Sequence, residues 1–482
     1  MEEGFYAGWA MEDITPLRPT AVFGQFHDRI SKGTLDPLTV TALVMESVDA
    51  EGKPVSRSAM VSCDLNDMPS FLQDAVKRRL AVELAGFESN NIFLAATHIH
   101  TGPFLSRFGT YNDPDDGMFG FPDYIEGLIT PEEYCEFFIA KVCNAVKTAW
   151  LNREKSGVSW QLGHAAVGHN RRLVYDDGSA VMYGNSDSVD FRGPEGPEDN
   201  GVEMLYFWDE RDELTGVLVN VACPAQVVEN LEYITADYWG AFRKKLWGKY
   251  SRKLPVFAMC GAAGDQSPRD LIRRDRGEKD MFSMEGVDEI GGRLLNTFEY
   301  KLEDAKRSIV GNPVLKHACR IIPLPYRRVT KTEYEKAKVR YDELIKRYGE
   351  GNKPDISADD YKLFGDFYAL YDCMGVFQNR KYVEKSPVYN VESHIIRIGE
   401  IAIASNPFEL FTVYGLMIKA RSVAVQTFIS QLSCDDAGYL ATYAAIKGGS
   451  YSTSAAAGLV GPEGGQLLVD QTVRYINDLW ED

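Results

Sequence analysis

Short apolar runs that end in polar, glycine- or proline-marked turns recur along the chain and predict an α/β protein. Four of them have the length and composition of buried strands, at residues 92–96, 214–222, 254–259 and 400–404. In open α/β sheets, ligands bind beyond the carboxyl ends of the strands. We therefore expect a mixed β-sheet core with flanking helices, and a functional site where the turns after these four runs converge.

The remaining segments predict further strands and helices around that core. These are strands at 38–47 and 58–65, and helices at 72–85, 131–152 and 410–421. A charged helical hairpin insertion is predicted at about 331–378, as a cover on the sheet domain, as an interface, or as a solvated insertion. Residues 104–127 are predicted as a long loop of the kind that often forms a lid. Because no linker divides the chain, we expect residues 1–482 to form a single domain.

Two histidines follow the first of the buried runs. Residues two apart in a strand face the same side, so His98 and His100 are expected to point together. Two adjacent imidazoles favour a metal or acid–base site. Two histidines packed at a strand end remain the alternative.

Composition narrows the class of partner. The 52 basic and 70 acidic residues give a net charge of −18, which argues against nucleic acid and anionic membranes as partners. No apolar stretch approaches the length of a membrane span, and no signal peptide is recognisable at the start. The eight cysteines form no close pairs, so we expect free thiols and a cytoplasmic location. A small-molecule substrate is the expected partner, and a homo-oligomer is left open.

Several polar residues in the turns are candidates for chemistry. Ser267 lies in a Gly-rich turn after a buried run, where backbone N–H groups can face an anion. Glu409 follows Asn-Pro-Phe, where it is either a site residue or a first-turn helix carboxylate. Tyr439 and Tyr451 lie near glycines, and Arg171 offers a guanidinium to a carboxylate or an oxyanion.

These motifs together resemble the catalytic domain of the neutral/alkaline ceramidases, nearly from end to end. The family's HTHSGP is similar to residues 97–103, and its GD-x-SP-like loop is similar to residues 264–268. Tyr439 and Tyr451 are separated as in that family. The other shared segments are residues 7–8, 13–16, 24, 36–38, 236–238 and 407–409.

The resemblance implies an amide hydrolase that holds one zinc ion. It implies His98, Glu409 and Tyr439 as zinc ligands. It implies His100 as the general base beside Ser267, which either attacks the amide or activates water.

It also implies that Arg171 and Tyr451 orient the substrate and stabilise the oxyanion. Zinc and an imidazole are a coherent pair for this chemistry, since the metal polarises a carbonyl and the imidazole moves protons.

Three departures from the family pattern change the expected function. Cys223 occupies the position of the family's second zinc-binding histidine, and because thiolate is a good zinc ligand we expect it to bind the metal. A cysteine that only packs at a strand end is the alternative. Phe104 and Leu105 replace a double glycine, and we expect no counterpart of the family's additional C-terminal domain. We expect a zinc-dependent hydrolase that cleaves an amide or ester bond of a soluble substrate. A true ceramidase and a non-catalytic metal- or ligand-binding homologue are the alternatives.

Overall fold

The computed structural model describes residues 2–107, 121–122, 125–250, 254–349 and 361–481. Most of the predicted loop at 104–127 lies outside the described residues. The strands are β1 (Gly4–Asp13), β2 (Thr39–Val48), β3 (Pro54–Cys63), β4 (Ile92–Ala96), β5 (Glu154–Lys155), β6 (Gly157–His164), β7 (His169–Asn170), β8 (Arg172–Tyr175), β9 (Ala180–Met182), β10 (Phe191–Pro194), β11 (Gly201–Trp208), β12 (Leu214–Val221), β13 (Val256–Cys260), β14 (Gln266–Ser267), β15 (Leu315–Pro325), β16 (Val388–Ile398), β17 (Ile401–Ser405), β18 (Glu409–Leu410), β19 (Gln426–Ser430) and β20 (Tyr439–Leu440). The α-helices are α1 (Ser70–Glu83), α2 (Pro131–Leu151), α3 (Asp237–Lys249), α4 (Leu271–Asp275), α5 (Met284–Arg307), α6 (Lys331–Tyr348), α7 (Tyr361–Lys385), α8 (Thr412–Arg421), α9 (Tyr443–Gly448) and α10 (Pro462–Asp478).

Three larger sheets form the centre of the molecule, with strand orders β4-β3-β2-β1-β5, β13-β12-β11-β6 and β15-β16-β17-β19. Each sheet mixes antiparallel neighbours with one parallel pair: β3 with β4, β12 with β13, and β17 with β19. The mixed α/β class predicted from the sequence is confirmed. The predicted helical hairpin is formed by α6 and α7, although α7 continues to Lys385.

The three sheets turn one face each towards a common apolar cluster. Leu43 of β2, Leu205 of β11 and Ile403 of β17 are all fully buried in it. The residues directly before and after these three point to the opposite face of each sheet, because side chains alternate in a strand. There Val44 and Met204 join the core that includes residues of α2, α3 and α5, and Ala404 joins the core of α8 and α10. The sheets are therefore buried on both faces, which explains their nearly continuous apolar sequences.

The turns after the buried strands are joined by backbone hydrogen bonds. Ala225 N donates to His98 O at 3.0 Å, which joins the turn after β12 to the turn after β4. Gly264 N donates to Leu410 O at 2.8 Å, which joins the turn after β13 to β18. The carboxyl ends of strands from different sheets thus meet in one region.

The structure leaves two sequence predictions open. The single-domain prediction stays a prediction, although the common apolar cluster agrees with it. Among the helices that the structure describes, none combines the length and the apolar character needed to cross a membrane. The cytoplasmic location likewise stays a prediction.

Candidate active site

A cavity of about 360 Å³ lies where these turns meet. It contains most of the residues predicted from the sequence. The predicted residues that line it are His98, His100, Arg171, Glu409, Tyr439 and Tyr451. Helix α7 contributes Tyr371 to its wall, so the hairpin takes part in the cavity as a cover.

His98 lies in the turn after β4 and not in the strand, so the alternation of side chains along a strand does not determine its direction. The strand ends at Ala96, and His98 has a left-handed backbone conformation with φ of 60°. The His98 and His100 rings lie 4.9 Å apart at an interplanar angle of 74°. The two rings are adjacent as expected, but the expected reason was wrong, because a turn and not a strand brings them together.

A buried ion pair supports this turn. Thr97 Oγ1 donates to Asp64 Oδ1 at 3.1 Å, and the Arg243 guanidinium binds both oxygens of Asp64 at 2.6 and 3.0 Å. Asp64 and Arg243 are both almost fully buried. Loss of either partner would leave an unpaired buried charge directly below His98.

His98 presents a lone pair to Glu409. Its Nδ1 lies 2.7 Å from the carbonyl oxygen of Asn66, which only accepts, so Nδ1 carries the proton. Nε2 then lies with its lone pair 3.2 Å from Glu409 Oε2. Two acceptors at this distance need a proton or a metal ion between them, and a carbonyl partner at Nδ1 is typical of metal-binding histidines.

Glu409 and Tyr439 are fixed side by side by a short parallel pair. Strands β18 and β20 pair with Glu409 opposite Tyr439. The backbone approaches closely here, because a Cβ on Gly264 would overlap the carbonyl oxygen of Glu409 and lie 2.8 Å from its carbonyl carbon. Gly264 therefore permits the approach that brings these side chains to the cavity.

Arg171 joins this pair. Its Nη2 donates to Tyr439 Oη and to Gly264 O, both at 3.0 Å, and lies 3.9 Å from Glu409 Oε2. Although burial alone lowers the pKa of Arg171, the facing Tyr439, Tyr183 and Glu409 raise it well above its ordinary value. The guanidinium is a permanent positive charge in the cavity wall.

His100 is held in the same tautomer as His98. Its Nδ1 donates to Gly24 O at 2.9 Å, and Glu229 Oε2 lies 3.4 Å from the same nitrogen. Its Nε2 is buried and has no hydrogen-bond partner among the described residues. Burial, followed by the influence of His98, holds the pKa of His100 well below its usual range. The imidazole is therefore neutral, with Nε2 unprotonated.

Ser267 is not among the residues that line this cavity. Its Oγ accepts from Tyr183 Oη and Gln226 Nε2, both at 3.3 Å, and from Arg269 N at 3.2 Å. The side chain is 1 % exposed. The predicted pairing of His100 with Ser267 is not among the hydrogen bonds of the described residues, and Tyr183 is the residue that joins Ser267 to the cavity.

Cys223 is fully buried and points towards main-chain carbonyls. Its Sγ lies 3.5 Å from Val167 O and 3.4 Å from Pro224 O. Burial, with the neighbouring Cys260, raises the pKa of this thiol well above its ordinary value. Its role as a zinc ligand stays a prediction, and it requires the side chain to turn away from these carbonyls and lose its proton.

Two solved structures share this arrangement of strands and helices. The crystal structure of neutral ceramidase from Pseudomonas aeruginosa superposes with a TM-score of 0.69 at 17% sequence identity, covering 99% of this chain and 75% of that chain. A ceramidase complexed with C2 gives a TM-score of 0.68 at 18% identity, covering 100% of this chain and 76% of that chain. The chain has the neutral ceramidase fold. No protein-family model and no curated protein sequence matches it.

Within the neutral ceramidase fold of this chain, the cavity contains acidic residues that the sequence interpretation missed. They are Asp67, Glu229 and Asp436, and together with Glu409 they give the lining four carboxyl groups against the single guanidinium of Arg171. Burial raises the pKa of Asp436 to about 7 and the pKa of Asp67 well above its usual value. Their signal in the sequence was position, since Asp67 follows β3 and Asp436 precedes Gly438 and Tyr439.

The donor atoms of the cavity suit a zinc ion. His98 Nε2, Glu409 and Tyr439 offer a nitrogen and oxygens of the types that zinc binds, and the surplus of carboxylates favours a cation. A second possible metal site lies outside this cavity. Among the described residues, the ligand atoms of Cys319, Glu392 and His394 lie within 4.8 Å of one another. Lys77 Nζ lies 2.6 Å from both oxygens of Glu392, so that carboxylate is already neutralised by a cation.

Proposed function

We propose that this chain is a zinc-dependent hydrolase that cleaves an amide or ester bond of a soluble substrate. The single observation that carries the proposal is the approach of His98 Nε2 to Glu409 Oε2 at 3.2 Å, beside Tyr439 and Arg171, which leaves room for a cation between two ligand atoms. The neutral ceramidase fold supports it, because the two solved structures that share this fold are ceramidases.

His98, Glu409 and Tyr439 would hold the zinc ion. When bound, zinc polarises a carbonyl group and makes its bound water more acidic. Cys223 remains the predicted fourth ligand, which a sulfur scatterer at about 2.3 Å in zinc absorption spectra would support.

The other side chains would position and protonate the substrate. Arg171 and Tyr451 would face the carbonyl oxygen and stabilise the negative charge that develops on it. His100 would take a proton at Nε2, the nitrogen that has no partner among the described residues. The hydrogen bond from Nδ1 to Gly24 keeps that nitrogen available.

Metal content and a substrate panel test the proposal together. We expect one zinc per chain in protein purified without chelator, and hydrolysis of short-acyl amides or esters in preference to long-chain ceramide. His98→Ala should lose the zinc and the activity. His164→Ala is the matched control, because that histidine is exposed.

The possible results separate the alternatives. Zinc near zero in the wild type, with no gain on zinc addition, would contradict the metal site. Efficient ceramide cleavage with no activity on the soluble compounds would make the chain a ceramidase. Stoichiometric zinc without turnover on any substrate would favour a non-catalytic homologue.

A separate variant decides whether Ser267 takes part. Ser267→Ala should reduce turnover by about a hundredfold or more if the hydroxyl is the nucleophile or activates water, with zinc content unchanged. Tyr183→Phe should mimic part of this loss, because Tyr183 joins Ser267 to the cavity. Unchanged turnover in Ser267→Ala would remove this serine from the mechanism.

A further inference from the structure

A second cavity of about 290 Å³ adjoins the first. Phe23, Asp67 and Asp436 line both cavities, so a ligand that fills one can extend into the other. The second cavity lies between the turn after β3, the chain before β20, and three tyrosines: Tyr326 directly after β15, Tyr382 of α7 and Tyr389 of β16.

The lining of the second cavity combines acidic and aromatic side chains. Asp67, Asp435 and Asp436 supply three carboxyl groups, and no Lys, Arg or His is present among the described residues that line it. Tyr326 and Tyr382 stack with ring centroids 5.5 Å apart, and Tyr389 lies 5.9 Å from Tyr326. The remaining aromatic residues of the lining are Phe23, Phe71 and Phe104. Aromatic faces next to carboxylates are the surroundings that bind organic cations.

One oxygen of these carboxyl groups, Asp67 Oδ1, is left without a partner among the described residues. Asp67 is 8% exposed, and its Oδ1 is buried with no hydrogen bond among the described residues. Asp435, in contrast, accepts from Tyr389 Oη at 2.6 Å and from Ser70 N at 3.1 Å. A buried acceptor without a donor is destabilising, so Asp67 is the position where a ligand N–H gains most.

We propose that the second cavity binds a protonated primary or secondary amine of the substrate, with Asp67 as its main acceptor. This inference rests on the proposed hydrolase function and names its substrate class: amides or esters that carry an ammonium group near the bond to be cleaved. A quaternary ammonium fits the aromatic rings but cannot donate a hydrogen bond to Asp67. A neutral acyl chain would bury carboxyl groups without compensation, which is unfavourable.

Calorimetric titration tests the cavity without requiring turnover. The probes are n-butylammonium chloride, tetramethylammonium chloride and butan-1-ol, added to the purified protein at pH 7.5 and constant ionic strength. We expect n-butylammonium to bind at one site, at least about tenfold more tightly than either of the other two probes. Equal binding of butan-1-ol would overturn the proposal with the wild-type protein alone.

Variants locate the site. Asp67→Asn should weaken n-butylammonium binding by about tenfold or more, because a bound ammonium ion favours the ionised form of the buried Asp67 carboxyl group, whereas the asparagine amide carries no charge. Glu51→Gln makes the same chemical change on an exposed turn and should bind as the wild type does. Wild-type affinity in a folded Asp67→Asn protein would contradict the assignment, as would loss of zinc from that variant, which would place Asp67 at the metal.

Hydrolysis separates this inference from the function on which it rests. Matched amides with and without a terminal ammonium group should differ in kcat/KM, and the difference should shrink in Asp67→Asn. Ammonium binding without any hydrolysis would contradict the proposed function and leave the amine site supported. Equal hydrolysis of both amides without ammonium binding would contradict only the amine site.

Discussion

The two histidines of the cavity owe their chemistry to the main-chain carbonyls behind them. Asn66 and Gly24 each accept a hydrogen bond from an Nδ1, so both Nε2 atoms keep a lone pair. The same tautomer therefore serves two purposes: His98 can bind a metal and His100 can accept a proton. Although Gly24 is among the residues shared with the resembled family, the sequence does not indicate the role of either carbonyl, because any residue type supplies one.

The carboxyl group of Glu229 predicts a pH-dependent stability. Burial raises its pKa from 4.5 to about 7. Because the folded state keeps this proton to higher pH, the stabilisation is fully present below pH 4.5 and is lost as the pH rises through about 7. Glu229→Gln removes the ionisable group. The free energy of unfolding of this variant minus that of the wild type should therefore increase by up to about 3 kcal/mol between pH 5 and pH 8.

Urea unfolding at both pH values, in buffer with a chelator, measures this difference. Glu51→Gln is the control, since its carboxyl group is exposed and should give no comparable change. A constant difference between Glu229→Gln and the wild type across this pH range would show that Glu229 ionises normally.

At the scale of elements, the close approach at Gly264 determines where β18 lies. Gly264→Ala would push the Glu409 carbonyl and the Phe411 ring, which a new Cβ would meet at 3.1 Å. We expect the variant to fold, to lose about tenfold or more in zinc affinity, and to lose activity in parallel, since a ligand displaced by a fraction of an ångström binds metal poorly. Gly292→Ala in α5 is the matched control, because no atom lies within 4 Å of its added Cβ. Zinc affinity equal to that of the control would show that β18 tolerates the displacement.

The elements also show what the sequence could and could not predict. β4 was predicted with its observed bounds, because five consecutive apolar residues bounded by polar ones specify a buried strand. The turn that follows was not, since His98 has a left-handed backbone and the neighbouring Thr97 is held by Asp64 and Arg243, which are 179 residues apart in the chain. The pairing of Glu409 with Tyr439 could not be predicted either, because each strand of this pair has only two residues and such a short strand shows no periodicity in the sequence. Resemblance identified those two residues, whereas Asp67 and Asp436 required the cavity itself.

For the whole molecule, the apolar cluster shared by three sheets predicts a single cooperative unfolding transition. Phe257 of β13 is fully buried in this cluster. Phe257→Ala should therefore lower the free energy of unfolding by about 3–5 kcal/mol and still leave one transition. Tryptophan fluorescence and far-ultraviolet circular dichroism should give coincident curves. Two separated transitions would show that the sheets unfold independently, and would also contradict the single-domain prediction.

The α6–α7 hairpin has a consequence for how such a molecule can diversify. Tyr371 of α7 lines the first cavity and contacts Phe26 and Tyr451, whereas the proposed metal ligands lie on the turn after β4 and on β18 and β20. Mutations in the hairpin can thus change the wall of the first cavity without changing the proposed metal ligands. A protein with this fold can acquire a new substrate by replacement of one hairpin. Relatives would then stay similar in the segments that carry the proposed ligands and differ in the hairpin.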